Sequence, residues 1–407
     1  MHARKGIAAL ERLSQGEARE QLELRLLILL GTAQFSVYGF AAAEVGHTFA
    51  RAKALSDRAG AAPEQLQVLL GLWLFYFVRA DYQISSELLR KVTQIALDVD
   101  DARFTLLSHV LTTCNATATG DFREAQLHGQ AAWTAYDPND SAKLRATFGM
   151  DIGTSNGDWT SWSLWALGYP DATLKLQRQV LSLAQTQGEP YMLAQVLAHT
   201  AIIDHFRKDA PAVLEHAQAA IEVSQAHGIP LRLAEGQILL GWARAELGAG
   251  EANLAHIEAA VEAWNRIGAR IANPIWFSLI ALAYWRNDRL IDARRWLSRA
   301  IAELEETGEG LWQSELYRLD GELLLIERPL NVDQVESRFK LAIEVARAQR
   351  AKMIELRSVA SLARLWHKQG RSADAYAALT RVYSCFTEGF DTKDLQETKA
   401  LLAELRG

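Results

Sequence analysis

A glycine beat constrains this chain more than any other feature. Gly188, Gly228, Gly268 and Gly308 stand about 40 residues apart, a period that belongs to repeat architectures. Each follows a run with helical apolar spacing and precedes another, the place where a glycine ends a helix in the left-handed conformation. A second set falls near the middle of each unit: Gly168, the Lys208-Asp209 pair, Gly248 and Asn287-Asp288. Each unit therefore reads helix, tight turn, helix, longer turn. Small residues keep the same step. Ser161, Ala201, Gly241, Ala281, Gly321 and Ser361 recur in the first helices, and Ala220, Ala260 and Ala300 in the second. A small side chain at a fixed place lets the neighbouring helix come close, and no strand pattern has this period. The expected fold is all-α, an α-solenoid of about eight antiparallel helix pairs.

First helices are expected near 64–80, 101–119, 158–168, 190–207, 230–248, 271–287, 310–327 and 351–369. Second helices are expected near 82–98, 121–136, 170–187, 209–227, 250–267, 289–307, 331–350 and 371–385. Less regular helices precede them near 3–14, 17–36 and 41–59, and a Lys-, Glu- and Gln-rich helix near 391–405 would cap the exposed end. The chain thus divides into partial repeats over 1–60, repeats over 61–150, the most regular array over 151–390 and a cap over 391–407. One stretch breaks the rhythm. Gly120 and Gly168 are 48 apart, and between them lies the glycine-rich run Gly149 to Asp158. That run reads as slack between two sub-arrays, or else as a hinge or binding loop bearing Asp151 and Trp159.

Composition removes several classes of function. Hydrophobic residues make up 49% of the chain, enough for a large core, so this is no disordered tail. A net charge of −6 supplies no basic field for nucleic-acid phosphates. The longest apolar stretches, Leu26–Leu30 and Val68–Val78, are well short of the ~18 residues a spanning helix needs. The two cysteines, Cys114 and Cys385, cannot build a disulfide framework or a four-ligand zinc site, and both read as small buried side chains; a reducing, cytoplasmic setting is expected.

Certain strings are more specific than the period. The small residue, the corner glycine seven positions on (Gly241 and Gly248) and the alanine-bearing second helix resemble the tetratricopeptide repeat, stretched beyond its usual length. Gly39–Val45, Leu164–Asp171, Glu315–Leu324, Glu355–Arg357 with Leu362–Trp366, and Phe386–Leu395 resemble the C-terminal arrays of large bacterial signalling proteins. In that family a cyclase-like or DNA-binding head is followed by an AAA/STAND-type ATPase and then the array. Gly149, Asp151 and Gly153 fall on the family's Gly-x-Asp-x-Gly segment, although Thr154 to Asp158 is more polar than the family's run. The resemblance covers essentially the whole chain and implies a right-handed superhelix. It also implies that any enzyme activity lies in upstream domains. The chain opens inside what reads as a second helix, His2 to Leu13, as a piece of a longer protein or a separate array would.

A search for chemistry returns little. The sequence contains no P-loop, no Gly-x-Ser-x-Gly elbow, no His-Glu-x-x-His pair and no Cys-x-x-Cys, and a calcium-loop template fails at Asp151. His199 and His205 lie too far around one helix to share a face, Asp204 diverges from His205, and none is assigned catalysis. No cofactor and no metal are expected. The repeat register gives the better lead. By family resemblance, the groove-facing positions of the first helices carry Glu235, Trp242, Trp285, Glu315, Arg318, Glu322 and Glu355. Carboxylates beside tryptophans would favour a cationic, amphipathic partner segment. The plainer alternative makes the glutamates a solvated face and the tryptophans repeat-to-repeat core.

The expected function is a non-catalytic protein- or peptide-interaction and regulatory module, with a protein or peptide segment, or the protein's own ATPase head, as partner. A stand-alone sensor that takes a peptide or small molecule, gated by the 149–158 run, is the alternative. An enzyme has the weakest support.

Overall fold

The computed structural model describes residues 2–10, 14, 16–248, 250–328 and 330–406. Helices begin and end where local chemistry dictates. Asp81, Asp101, Asp121, Asp151 and Asp209 each precede a helix and accept backbone N–H bonds from its first turn. Pro170, Pro190, Pro230 and Pro274 occupy first-turn positions, where a missing N–H does no harm. All four of Gly188, Gly228, Gly268 and Gly308 are left-handed, with φ between 64° and 90°. Lys208 and Asp288 adopt the same conformation (φ 60° and 56°) as Gly168 and Gly248 at the equivalent mid-unit corner (φ 93° and 88°), so the turn holds even where glycine is missing.

The resulting order among the described residues is helical throughout. Helices α1 (His2–Leu10), α2 (Glu17–Tyr38) and α3 (Ala43–Ala59) lead in. The first helices of the repeats are α4 (Ala62–Val78), α6 (Ala102–Thr119), α9 (Ile152–Leu167), α11 (Pro190–Phe206), α13 (Pro230–Glu246), α15 (Asn273–Arg286), α17 (Gln313–Glu327) and α19 (Lys352–Lys368). Their partners are α5 (Tyr82–Asp98), α7 (Phe122–Ala135), α10 (Pro170–Gln187), α12 (Ala210–His227), α14 (Leu254–Arg266), α16 (Leu290–Thr307), α18 (Val332–Ala348) and α20 (Ser372–Tyr383). A short helix α8 (Ser141–Phe148) precedes α9, and α21 (Lys393–Glu404) closes the chain. The expected helix near 3–14 is α1, which ends at Leu10, and positions 11–13 of the expected span lie outside the described residues.

The two kinds of helix differ in burial. First helices such as α6, α9 and α11 are covered on nearly every side, whereas α5, α10 and α16 bury one stripe and expose the rest. First helices therefore form an inner layer and second helices an outer one.

The coil is closed on itself. Early corners dock on late ones: Val78 O accepts from the backbone N–H groups of Arg270 and Ile271 at 2.8 and 3.0 Å, and Ala118 O from those of Gly310 and Leu311 at 2.8 and 3.2 Å. Farther along, Glu388 accepts from the N–H groups of Asp171 and Ala172, and Lys208 pairs with Asp394 at 2.8 Å. One turn of the spring thus rests on the next. The axis is filled by Trp165, Phe206 and Trp312, with Phe206 and Trp312 stacked at 4.7 Å, and by Arg357 lying 4.8 Å over the Trp165 ring.

Two expectations fail here. The run Gly149 to Asp158 is no inserted loop, because from Ile152 onward it forms the first two turns of α9. Gly149 ends α8 in the left-handed conformation, whereas Gly153 and Gly157 look like loop signals but act as packing notches. A Cβ on Gly153 would lie 2.1 Å from the Tyr136 ring, and one on Gly157 would lie 2.3 Å from Val180. Its polar residues are buried and bonded inward: Asn156 Nδ2 donates to Gly129 O at 2.9 Å, and Asp151 accepts from Tyr136 Oη at 2.7 Å while capping the helix. The second failure is Cys385, which is exposed, whereas Cys114 is buried as expected.

Candidate functional site

A cleft of about 660 Å³ opens between α2, α4, α8 and the start of α11. Its walls carry Arg25, Leu29, Glu64, Gln67, Arg145 and Tyr191, a mixture of charge and apolar surface within the size range of ligand clefts. Phe40 and Met150 also border a second space, a chamber of about 70 Å³. A site of that volume with polar walls is large enough for a few waters or a small functional group.

The chamber is assembled from residues of distant repeats. Helix α4 supplies Trp73 and Phe77, α9 supplies Ser155, Trp159 and Trp162, α11 supplies Gln195 and His199, and α13 supplies Arg232 and Glu235. From the far turn come Trp264 and Glu309. Closure of the coil, through the Val78–Arg270 seam, brings these last two in.

Its polar groups form one network. Arg232 Nη1 lies 2.7 Å from Glu235 Oε2, and its Nη2 donates to Gln195 Oε1 at 2.7 Å. The same Nη1 is 3.3 Å from His199 Nε2. A guanidinium can only donate, so Arg232 is the donor in that contact, and the His199 ring stands between two carboxylates, with Nδ1 3.3 Å from Asp158 Oδ2 and Nε2 3.6 Å from Glu235 Oε1. Gln195 Nε2 holds Ser155 Oγ at 3.2 Å and sits 3.4 Å from Asp158 Oδ2. Trp162 and Trp159 pack on His199 with centroids 4.7 and 5.8 Å away.

Glu309 forms the opposite wall. Its Oε2 accepts from Tyr82 Oη at 2.8 Å and from Ala272 N at 3.0 Å, while Oε1 has no partner. Burial, reinforced by Glu303, pushes its carboxyl up to about 7 against the pull of these two donors. Cys114 also lines the chamber, and burial followed by the charge of Asp158 pushes its thiol well above the ordinary range. That is the reverse of what a nucleophilic cysteine requires.

The residues expected to face a groove are scattered by this geometry. Trp159 and Glu235 meet in the chamber. Asp151 is fully buried, bound to Tyr136 and Gln187, and is a helix cap. Glu315, Arg318 and Glu322 form a second cluster: Arg318 pairs with Glu315 at 2.6 Å and with Glu322 at 3.3 Å, and Ser361 Oγ donates to Glu322 at 2.5 Å. Arg318 and Arg357, outweighing burial, hold Glu315 down at about 2. Glu355 stands apart with Arg347 and Lys352, each at 2.7 Å. Trp242 packs edge-on against His205 at 4.3 Å, and Trp285 is a partly buried contact of the core. The alternative of a solvated glutamate face is overturned, since Glu235, Glu315 and Glu355 are all buried. They pair with arginines that come from three or eight positions away in sequence.

Sequence reasoning missed Arg232, Asp158, Glu309, Phe40 and Met150, and set His199 aside as packing. Arg232 three positions before Glu235 was a legible ion-pair signal. Nothing in the sequence links either residue to Glu309. Among the described residues no three or more His, Cys, Asp or Glu side chains converge as a metal site, and no helix is long and apolar enough to cross a membrane.

The fold defines the class: this is a TPR-like helical repeat protein. No family model matches the chain. An uncharacterised protein of Rhizobium meliloti is 21% identical over 361 residues, which is 88% of this chain but 35% of that protein, so the chain spans about a third of its relative's length. Among solved structures, a Rap protein complexed with competence and sporulation factor aligns over 84% of this chain and 98% of its own at 10% identity, with a TM-score of 0.54. A STAND protein with a tetratricopeptide repeat sensor from Pyrococcus horikoshii aligns over 97% of this chain and 55% of its own at 12% identity, with a TM-score of 0.48.

Proposed function

We propose that the chain is a regulatory sensor module that takes a peptide, or an extended segment of a partner protein, into the cleft and reads its end in the chamber. The observation that carries this reading is adjacency: Phe40 and Met150 line both an open cleft and an aromatic-walled space that holds a cluster of buried polar groups. A purely structural solenoid has no need of unpaired polar atoms at its axis, where each costs about 1–3 kcal/mol. The fold shared with a Rap protein seen with its factor bound supports the same reading.

The mechanism is conformational. A ligand touching α2, α4, α11 and α13 at once bridges the lead-in helices to both turns of the coil. It stabilises the closed spring by its differential affinity for that state over an opened one. The resemblance to arrays carried beneath STAND-type ATPases and cyclases makes attached domains in a longer, cytoplasmic protein the receivers of this change. Binding, and not turnover, is assigned to the site, since burial, with the charge of Asp158, pushes the thiol of Cys114 well above its ordinary range.

Ala33 is exposed on the cleft wall, so Ala33→Trp should fill the entrance without disturbing the core. Fluorescence polarisation with a dye-labelled pool of random heptapeptides should show capture by the native chain and loss of capture in this variant, with unchanged helical circular dichroism. No capture by the native chain, or equal capture by both, refutes the reading.

A further inference from the structure

Charge in the chamber does not balance. Glu235 and Glu309 line it and Asp158 stands directly behind His199, all three nearly or wholly buried, against Arg232 as the one fixed cation. Arg232 is already committed to Glu235 and Gln195. His199 lies 3.3 Å from Arg232 Nη1, with Asp158 and Glu235 on either side of its ring. Glu309 Oε1 and Asp158 Oδ1 have no hydrogen-bond partner among the described residues.

The remaining walls are aromatic. Trp73 and Phe77 stack at 4.3 Å, Phe77 meets Trp159 edge-on at 5.5 Å, and Trp162 lies beside Trp159 at 4.8 Å. Ring faces attract ammonium and guanidinium groups, most strongly where water is excluded. The indole N–H groups of Trp73, Trp162 and Trp264 are also unpaired. A neutral donor left unpaired costs less than a buried carboxylate left uncompensated, so the carboxylates decide the ligand.

Resting on the sensor reading, we infer that the chamber binds an organic cation: a primary ammonium or guanidinium group on an unbranched aliphatic stem, whose charged end meets Glu309 while the aromatic walls hold the stem. A volume of about 70 Å³ admits such a group and excludes a bulky side chain. The stem would leave past Phe40 and Met150 into the cleft, so a free diamine or the basic side chain of a bound peptide would present the same chemistry.

Entry of the cation has a protonic signature. The empty site keeps Glu309 high because it is buried, with Glu303 of α16 adding repulsion, Tyr82 of α5 and the Ala272 amide pulling the other way, and Arg232, His199 and Glu235 across the chamber. A cation beside it favours the carboxylate. Binding should therefore release a proton near neutral pH and tighten between pH 6 and pH 8.

Titration calorimetry and tryptophan fluorescence would test this with agmatine and n-butylamine, against butyrate and n-butanol as anionic and neutral controls. A second arm uses paired heptapeptide amides that differ only in a terminal lysine or norleucine. The expected result is binding of the amines, or of the lysine peptide over the norleucine peptide, with proton uptake by the buffer and at least a tenfold loss in Glu309→Gln. Amine binding identifies a free effector, and lysine-peptide binding alone identifies a peptide side chain; both uphold the inference. Glu309→Gln keeps the Tyr82 and Ala272 bonds in a neutral form, and an unaltered circular dichroism spectrum shows that its loss of binding is local. The inference is overturned if butyrate or butanol binds as well as the amines. It is also overturned if lysine and norleucine peptides bind equally, or if Glu309→Gln binds cations as the native chain does. If random heptapeptides still enter the cleft and Ala33→Trp blocks them, only the cation inference has failed; if neither amines nor peptides bind, both have.

Discussion

Replacing Glu309 by glutamine should flatten the pH dependence of the coil's stability. The carboxyl is buried between the two turns, where Tyr82 comes from the early turn and Ala272 from the late one. In the unfolded chain it titrates near 4.5, and in the folded chain burial raises it to about 7. A group raised in this way lends stability that is fully present below pH 4.5 and is lost as pH climbs through 7, because the folded state then holds a buried anion or must give up its proton. At 1.36 kcal/mol per pH unit the shift corresponds to about 3 kcal/mol. Glutamine keeps an acceptor for Tyr82 and Ala272, adds a donor where Oε1 has none, and never ionises. Urea denaturation followed by tryptophan fluorescence at pH 5 and pH 8 should show the native chain losing on the order of 3 kcal/mol more than the variant across that interval. The variant should be the more stable of the two at pH 8. Parallel pH dependence in the two proteins would refute the claim that this carboxyl is strained by burial at the seam.

Two other substitutions probe the closure of the spring. Gly310→Ala places a Cβ 2.1 Å from Thr119 O, a backbone atom that cannot swing aside, so the Ala118 seam must part. A loss of about 1–3 kcal/mol is expected in denaturation, with faster amide exchange at Gly310 and Leu311; unchanged exchange there would show the seam is dispensable. Arg357→Met removes the partner that holds buried Asp394, with Lys208, down at about 2 despite its burial, and it frees Phe206 O. The expected cost is about 3–5 kcal/mol, most of it recovered in the double variant Arg357→Met with Asp394→Leu. A double variant no better than the single one would contradict the ionic account.

The helices of this protein are almost wholly local events, which is why they are legible in the sequence. An aspartate, glutamate or proline starts a helix, a left-handed residue ends it, and apolar spacing between the two tells which face packs; the observed bounds of α5 (Tyr82–Asp98) and α10 (Pro170–Gln187) coincide with the expected 82–98 and 170–187. Where the rule misled, at Gly149 to Asp158, Gly153 and Gly157 answer to Tyr136, just past α7, and to Val180 of α10, and not to their own backbone. Register likewise brought out Glu235, and the glycine-rich run brought out Trp159, but neither said what they face. Each repeat is rotated slightly against the last, and only the sum of those rotations decides whether the inner surface is an open groove or a filled axis. That sum seats Val78 on Arg270 and Ala118 on Gly310, and sets Glu309 in the same chamber as Glu235. Periodicity along the chain determined the repeating unit, because helix signals act within a turn or two of themselves. The chamber was decided by contacts between residues nearly two hundred positions apart, such as Val78 with Arg270, which no local pattern records.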